Sequence, residues 1–301
     1  MTQLDFSIII PTYDRPGELL TCLRSLAALD YPADRFEAII VDDGGRISPA
    51  PVVSHFSDGV RIRVVCRENG GPAAARNTGA QVAAGRILAF TDDDCVPEPD
   101  WLSALGEPLR AEPEVMVGGR VINSLTGNPY SAASQIILDL VYAYYNADPN
   151  RARFFATNNM AVSTDLFRAM GGFNARFRTS EDRDLCDRWL SAGRRLVFAP
   201  HAVIRHSHNL TLRGFWMQHI GYGRGARRFH QAHRRRNPSR STFDGGFYAA
   251  ALRRLPRLMS GRRDWPWLAC LVVVWQAANL AGYAEEMLLP ASHDLGDEGD
   301  R

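Results

Sequence analysis

ILAFTDDDCVP, residues Ile87–Pro97, joins an apolar run to three acids. Ile87 to Phe90 has the length and character of a strand buried on both faces. Asp92, Asp93 and Asp94 follow at its end. Three adjacent aspartates repel one another unless a cation lies between them. Hard oxygen ligands with room for phosphate oxygens suit Mg²⁺ or Mn²⁺. The carboxyl ends of strands are also where open α/β sheets bind ligands. An acidic turn capping the next helix accounts for the same residues, so the neighbouring segments must arbitrate.

Upstream, Phe6–Ile10 is a β-rich run closed by Pro11, and it predicts a first buried strand. Pro16 opens a helix with Leu19, Leu20, Leu23 and Leu26–Leu29, expected to end near Tyr31–Pro32. Phe36–Val41 is a second strand ending in Asp42, Asp43, Gly44 and Gly45. A short helix around Pro51–Phe56, a strand Arg61–Val65, a glycine turn and an alanine-rich helix Pro72–Ala84 lead back to the acidic strand. Strand–helix alternation of this kind predicts a parallel sheet with right-handed crossovers. The polar clusters at the strand ends then share one edge and form one composite site.

Composition narrows the class. The chain has 301 residues, 46% hydrophobic and 23% charged, as in ordinary globular proteins. Its 35 basic residues are all arginine, and the net charge of +2 hides a basic C-terminal third. Cys22, Cys66, Cys95, Cys186 and Cys270 lack CxxC spacing, which argues against a disulfide framework or zinc site and for a reducing compartment. MTQLDFSIII does not read as a signal peptide, so a cytoplasmic location is expected.

Four motifs, SIIIPTYDRP from Ser7, VDDGG from Val41, NGGPAAARNTG from Asn69 and FTDDD from Phe90, stand in this order. Together they resemble the nucleotide-binding half of family 2 glycosyltransferases, and the resemblance extends over Phe6 to His208. It implies an α/β fold of the GT-A type: a Rossmann-like, mixed but mainly parallel sheet flanked by helices, with a helical C-terminal extension. It also implies a nucleotide-sugar donor (UDP-, GDP- or dTDP-sugar) and a divalent cation, Mn or Mg. Where that family continues VDDGS with Thr-Asp, this chain has Gly45-Arg46, which leaves the base open.

Carried over by position, the resemblance implies that Pro11, Thr12 and Tyr13 line the base pocket and that Asp43, with Asp42 beside it, hydrogen-bonds the base. Gly71 and Arg76 lie near base and diphosphate. Asp92 reaches the ribose, and Asp94 or Asp93 holds the metal, with Asp92 adjoining it. Read without the resemblance, Arg76 is a helix-surface arginine.

Trp101–Arg110 predicts a helix, Val115–Ile122 a strand and Ser131–Asn146 a helix with Tyr142, Tyr144 and Tyr145 as core aromatics. Thr157–Ala161, with Asn158 and Asn159, resembles the small-polar strand beside the donor sugar, and Gly171-Gly172-Phe173 the turn that follows. Glu181-Asp182 opens a helix Arg183–Ala192, where acids complement the helix dipole. The resemblance makes Asp182 the general base of an inverting displacement and Glu181 a residue that orients the acceptor. His206 and His208 are placed to complete a metal shell, His206 the preferred one.

Beyond Leu210 arginines dominate up to Arg263, and Trp265 then starts an apolar segment that runs to Leu289. Basic stretches suit nucleic acid, anionic membrane or a solvated face. Gln276, Asn279, Glu285 and Glu286 interrupt that segment, which with the arginines on anionic lipid favours an interfacial membrane helix over a span, with a buried helix as the competing reading. No nucleic-acid partner is expected. The domains expected are 1–210 catalytic, 211–290 a helical extension at a membrane surface, and 291–301 a disordered tail. A QxxRW motif is missing, which favours single-sugar transfer to a hydroxyl acceptor, lipid-linked in glycan, exopolysaccharide or glycolipid assembly. A sugar nucleotidyltransferase ranks lower because PTYDRPGE lacks the glycine-rich loop it needs. An arginine-rich nucleic-acid-binding protein or scaffold leaves the acidic clusters without purpose.

Overall fold

Strand β1 (Phe6–Thr12) lies inside an eight-stranded sheet and is buried along almost its whole length. The computed structural model describes residues 4–56, 59–239 and 244–288. In chain order, β1 is followed by α1 (Pro16–Ala27), β2 (Phe36–Asp42), α2 (Ala50–Val53), β3 (Arg61–Cys66), α3 (Pro72–Val82) and β4 (Ile87–Phe90). The sheet then takes in β5 (Cys95–Pro97), α4 (Trp101–Ala111), β6 (Met116–Asn123), α5 (Pro129–Tyr145), β7 (Met160–Ser163), α6 (Thr164–Ala169), α7 (Glu181–Ser191) and β8 (Leu196–His206). Three helices finish the described chain: α8 (Leu212–Arg236), α9 (Gly245–Met259) and α10 (Trp265–Leu288).

The strand order is β3-β2-β1-β4-β7-β6-β8-β5. Pairs β1–β2, β1–β4, β2–β3 and β6–β8 are parallel, and β4–β7, β6–β7 and β5–β8 are antiparallel. Alternation along β1 builds three layers. Ile8 and Ile10 face α1 and α4, packing with Leu19, Leu23, Trp101 and Leu105. Ile9 faces the other way, in one cluster with Ala75 of α3, Phe167 of α6 and Trp189 of α7. This is the mixed, helix-flanked sheet expected from the sequence.

Helix α1 is shorter than expected, and one strand is additional. Helix α1 stops at Ala27, because Ala28 and Leu29 turn their N–H groups to Ser25 and Leu26 and Asp30 donates to the Pro99 carbonyl. Strand β5, three residues right after the aspartates, was not anticipated. It pairs Cys95 with His206, and the Ser207 N–H reaches the Asp94 carbonyl at 2.9 Å. That short ladder carries a histidine 112 positions away to the acidic turn.

The C-terminal helices pack on the sheet domain. Ala133, Ile137 and Leu140 of α5 share a cluster with Phe215, Met259, Leu268 and Leu271. Backbones of α8 and α10 touch: a side chain at Gly223 would run into the Asn279 carbonyl, and one at Gly282 into that of Ile220. Three arginines of α8 are engaged in ion pairs with other helices: Arg224 with Glu285, Arg228 with Glu286, and Arg236 with Asp184 and Asp187. The run therefore ties α8 to α7 and α10, a use its charge pattern does not reveal. Leu289 and the tail 291–301 lie outside the described residues.

Overpacking a backbone contact costs about 1–3 kcal/mol. Gly282→Val should therefore lower the urea midpoint with the unfolding slope unchanged. A wild-type midpoint would mean that α8 and α10 do not pack backbone to backbone.

Candidate active site at the strand ends

Strands β1, β2 and β4 are parallel, so their carboxyl ends bring Thr12, Asp42–Asp43 and the Asp92–Asp94 turn to one edge. Asp93 and Asp94 are buried there. Thr12 Oγ1 donates to Asp93 Oδ2 at 2.8 Å. Arg15, at the start of α1, bridges the pair: Nη1 to Asp93 Oδ1 at 2.8 Å and Nη2 to Asp94 Oδ2 at 2.9 Å. Arg15 carried no sequence signal beyond its place in the PTYDRP motif.

Burial pushes the Asp93 carboxyl up to about 7, against the pull of Arg15 and Thr12. Burial opposes ionisation of Asp94 too, yet His206 and Arg15 outweigh it and hold Asp94 well below the ordinary carboxylate range. His206 Nε2 stands 3.2 Å from Asp94 Oδ1. Burial acts to lower the His206 pKa, but the Asp94 carboxylate raises it overall. His208 stacks on the His206 ring, centroids 5.1 Å apart, and burial with the His206 charge pushes it down to about 4. Of the two histidines, His206 meets the acidic turn.

The ligand atoms of Asp94, Cys95 and His206 lie within 4.8 Å of one another. Burial raises the Cys95 thiol well above its ordinary pKa, so it stays protonated. The usable donors are carboxylate oxygen and imidazole nitrogen, a set that fits Mn²⁺ or Mg²⁺ better than a thiophilic metal.

Asp43 faces the loop before α3. It accepts from the Gly70 N–H at 3.1 Å, from the Gly71 N–H at 2.7 Å, and from Arg67. Gly71 has φ +86°, open to glycine and strained for other residues. Asp42 Oδ1 accepts from the Gly45 N–H at 2.8 Å, closing its own turn. Pro11 is half-buried and Tyr13 exposed at the same edge.

Arg76 is only 3% exposed, not the surface residue its isolated sequence context suggests. Its Nη2 donates to Asp92 Oδ1 at 2.6 Å and its Nη1 to Glu181 Oε1 at 2.9 Å. One residue on, Asn77 holds the glycine turn, donating to the Phe173 carbonyl at 2.7 Å and accepting from its N–H at 2.9 Å. The α3 motif thereby locks the acidic turn of β4 to the N-terminus of α7.

Asp182 follows, its Oδ1 accepting from the Arg183 N–H at 2.7 Å. Burial and then the neighbouring Glu181 charge push its carboxyl up to about 7. Burial also raises Glu181, opposed by Arg76. Ser180, just before, has φ +69°. Asn158 and Asn159 differ. Asn159 is fully buried, accepts from Trp101 Nε1 and donates to the carbonyls of Arg120 and Ala202, which spends its amide on the framework. Asn158 Oδ1 is buried without a hydrogen-bond partner.

The model of the family described as Glycosyl transferase family 2 matches residues 7–182. The chain is 31% identical over 229 residues to the pre-mycofactocin glycosyltransferase of Mycobacterium tuberculosis, covering 74% of this chain and 47% of that protein. It is 29% identical over 201 residues to glycosyltransferase AglE of Haloferax volcanii, covering 66% of this chain and 65% of that one. It thus spans about half of the first relative and just under two thirds of the second. Among solved structures, the mannosyltransferase PcManGT from Pyrobaculum calidifontis, in complex with GDP-Man and Mn2+, superposes with TM-score 0.70 at 19% identity, over 96% of this chain and 88% of that one. TarS 1-349 of S. aureus in complex with UDP gives 0.55 at 16% identity, over 93% and 89%. These two likenesses concern the fold. With more than half of its residues matched by the family model, the chain belongs to glycosyl transferase family 2.

Proposed function

We propose that the protein transfers one sugar from a nucleotide-sugar donor to a hydroxyl acceptor, with inversion at the anomeric carbon. The carrying observation is the Arg76 bridge, which sets Glu181-Asp182 across from the Asp92–Asp94 turn. The structural neighbours' GDP-Man, UDP and Mn2+ support a nucleotide donor and a divalent cation.

Asp94 and His206 would hold the cation, with Asp92 and Asp93 alongside. When bound, it supplies Lewis-acid stabilisation of the departing nucleoside diphosphate. The chain's own residues do the rest. Asp43, Thr12 and Tyr13 frame the base, and Asp92, steadied by Arg76, faces the ribose. Asp182 takes the acceptor's proton as the acceptor oxygen bonds to the anomeric carbon and the sugar–phosphate bond breaks, its electron pair leaving with the diphosphate. Glu181, half neutralised by Arg76, orients the acceptor.

The C-terminal helices support a membrane-surface reading of this activity on a lipid-linked acceptor. Among the described residues, α10 is the one helix long and apolar enough to cross a membrane. One of its faces is bound to α8, while Val273, Leu280 and Met287 are exposed in a stripe beginning near Trp265 and Trp267. Exposed Leu252, Arg253 and Arg257 of α9 and Arg263 adjoin it in sequence. Apolar and basic groups together match an anionic lipid surface.

Thermal denaturation against UDP, GDP, dTDP and CDP, with and without Mn²⁺, tests the donor. Ligand at a hundred times its Kd stabilises by about 2.7 kcal/mol, so one nucleotide should raise Tm and do so mainly with metal. No shift with any of the four would sink the reading.

The base assignment has a pH signature. With Asp182 ionising near 7, turnover should climb from pH 6 to 8, and Asp182→Asn should bind nucleotide but lose transfer. Its folded pKa stands above the unfolded value, so folding favours the neutral form and stability falls as pH rises from about 4 to 7. The Tm advantage of Asp182→Asn should accordingly be larger at pH 8 than at pH 5. Transfer by Asp182→Asn near the wild-type rate would refute the role.

Flotation with vesicles tests the lipid contact. Binding to phosphatidylglycerol vesicles should exceed binding to phosphatidylcholine, and replacing Arg253, Arg257 and Arg263 by Gln should weaken it about a hundredfold, at about 1 kcal/mol per arginine. Equal binding to both vesicles would remove the electrostatic part of the reading.

A further inference from the structure

Helix α8 lies beyond the residues matched by the family model, yet it touches the turn that delivers Glu181 and Asp182. Thr179 Oγ1 donates to the Gly221 carbonyl at 2.8 Å. A side chain at Gly225 would meet Ser180 Oγ at 2.6 Å and Thr179 as well. These two glycines, one helical turn apart, seat α8 against the left-handed Ser180. Tyr222 sits between them on the same stretch.

Tyr222 is 42% exposed, and one turn earlier Gln218 Nε2 donates to its phenol oxygen at 2.7 Å. The phenol lies near the negative charges of Asp182, Glu181 and Asp92, which favour its neutral form, so it remains a hydrogen-bond donor. Its O–H has no acceptor among the described residues. Gln218 Oε1 is buried and has no partner either. An accessible donor and, one helical turn away, a buried acceptor that a turn of the amide must bring out thus have no protein partner among the described residues. A hydroxyl group, which both donates and accepts, satisfies the two at once. Turning the amide over exchanges the two roles and leaves the same complement. Beneath them His219, 2% exposed and with neither ring nitrogen partnered, packs its ring 5.4 Å from that of Tyr222 and restrains the phenol.

We propose that Gln218 and Tyr222 form the subsite for a carbohydrate hydroxyl of the acceptor beside Asp182, and so determine which acceptor is used. This rests on the glycosyltransferase reading above. The pair binds and orients; proton removal stays with Asp182.

The test measures how donor sugar partitions between water and a carbohydrate. The full chain is given GDP-mannose, UDP-glucose or UDP-N-acetylglucosamine with Mn²⁺, and octyl β-D-glucopyranoside, octyl α-D-mannopyranoside or octyl N-acetyl-β-D-glucosaminide as acceptor probe. Tyr222→Phe, which keeps the ring on His219, and Gln218→Leu should each lower the transfer-to-hydrolysis ratio about tenfold, with nucleotide Kd as in the wild type. An unchanged ratio in both variants overturns the proposal. So does a wild type that hydrolyses donor but glycosylates none of the probes. A wild type that neither binds nucleotide nor consumes donor sinks the underlying glycosyltransferase reading instead.

Discussion

The buried guanidinium of Arg76 is the contact on which the site depends. Its two short bonds, to Asp92 and Glu181, cross from the third motif of the sheet domain to the helix that carries Asp182. Taking Arg76 and Glu181 out of water is costly unless each finds its partner in good geometry, and half-buried Asp92 completes the set. Here the geometry is set by local structure on every side. Gly71 turns the chain into α3, Asn77 ties the Phe173 backbone, and the Phe173 ring lies 6.0 Å from the Arg76 guanidinium carbon. The Asp92–Asp94 turn and the start of α7 are therefore tied into one unit. Losing Arg76 would strand a buried Glu181 beside Asp182 and raise the cost of ionising either.

Charge balance explains the remainder of the cleft. Asp43, Asp92, Asp93, Asp94 and Glu181 are ion-paired with Arg15, Arg67 and Arg76, five carboxylates on three guanidinium groups. A diphosphate brought into this excess of carboxylates meets repulsion unless a cation comes with it. Arg15 neutralises the Asp93–Asp94 pair through Asp93 Oδ1 and Asp94 Oδ2, while His206 Nε2 meets the other Asp94 oxygen, so the two oxygens of Asp94 face different cationic groups.

The sheet and the strand-end acids were legible because they depend on local pattern. Phe6–Ile10, Phe36–Val41 and Ile87–Phe90 are apolar runs that end in polar turns, and each became a strand with its end at the same edge. Partners distant in sequence were not legible. Nothing near Arg15 announces Asp94, and the link from Cys95 to His206 needs a three-residue strand too short for any periodicity to show. Asn159 illustrates the opposite failure. A polar residue in a glycosyltransferase-like motif invites a ligand role, but Trp101, Arg120 and Ala202 converge on its amide inside the core. The ion pairs of Arg224, Arg228 and Arg236 were hidden for a related reason, since Glu285, Glu286, Asp184 and Asp187 come from other helices.

The C-terminal extension belongs to the architecture of the site as much as to its surroundings. Gly223 and Gly282 bring the backbones of α8 and α10 together, and Gly221 and Gly225 set α8 on the turn before Glu181. Helix α10 is thereby linked through α8 to the left-handed Ser180, the glycines of α8 meeting the Asn279 carbonyl on one side and the Thr179 and Ser180 hydroxyls on the other. Asp43 and the Asp92–Asp94 turn lie within the residues matched by the family model, whereas the Thr179–Asp182 turn also rests on a helix outside them. Side chains along α8 can therefore vary without touching Arg76, because α8 reaches its bridge through that turn.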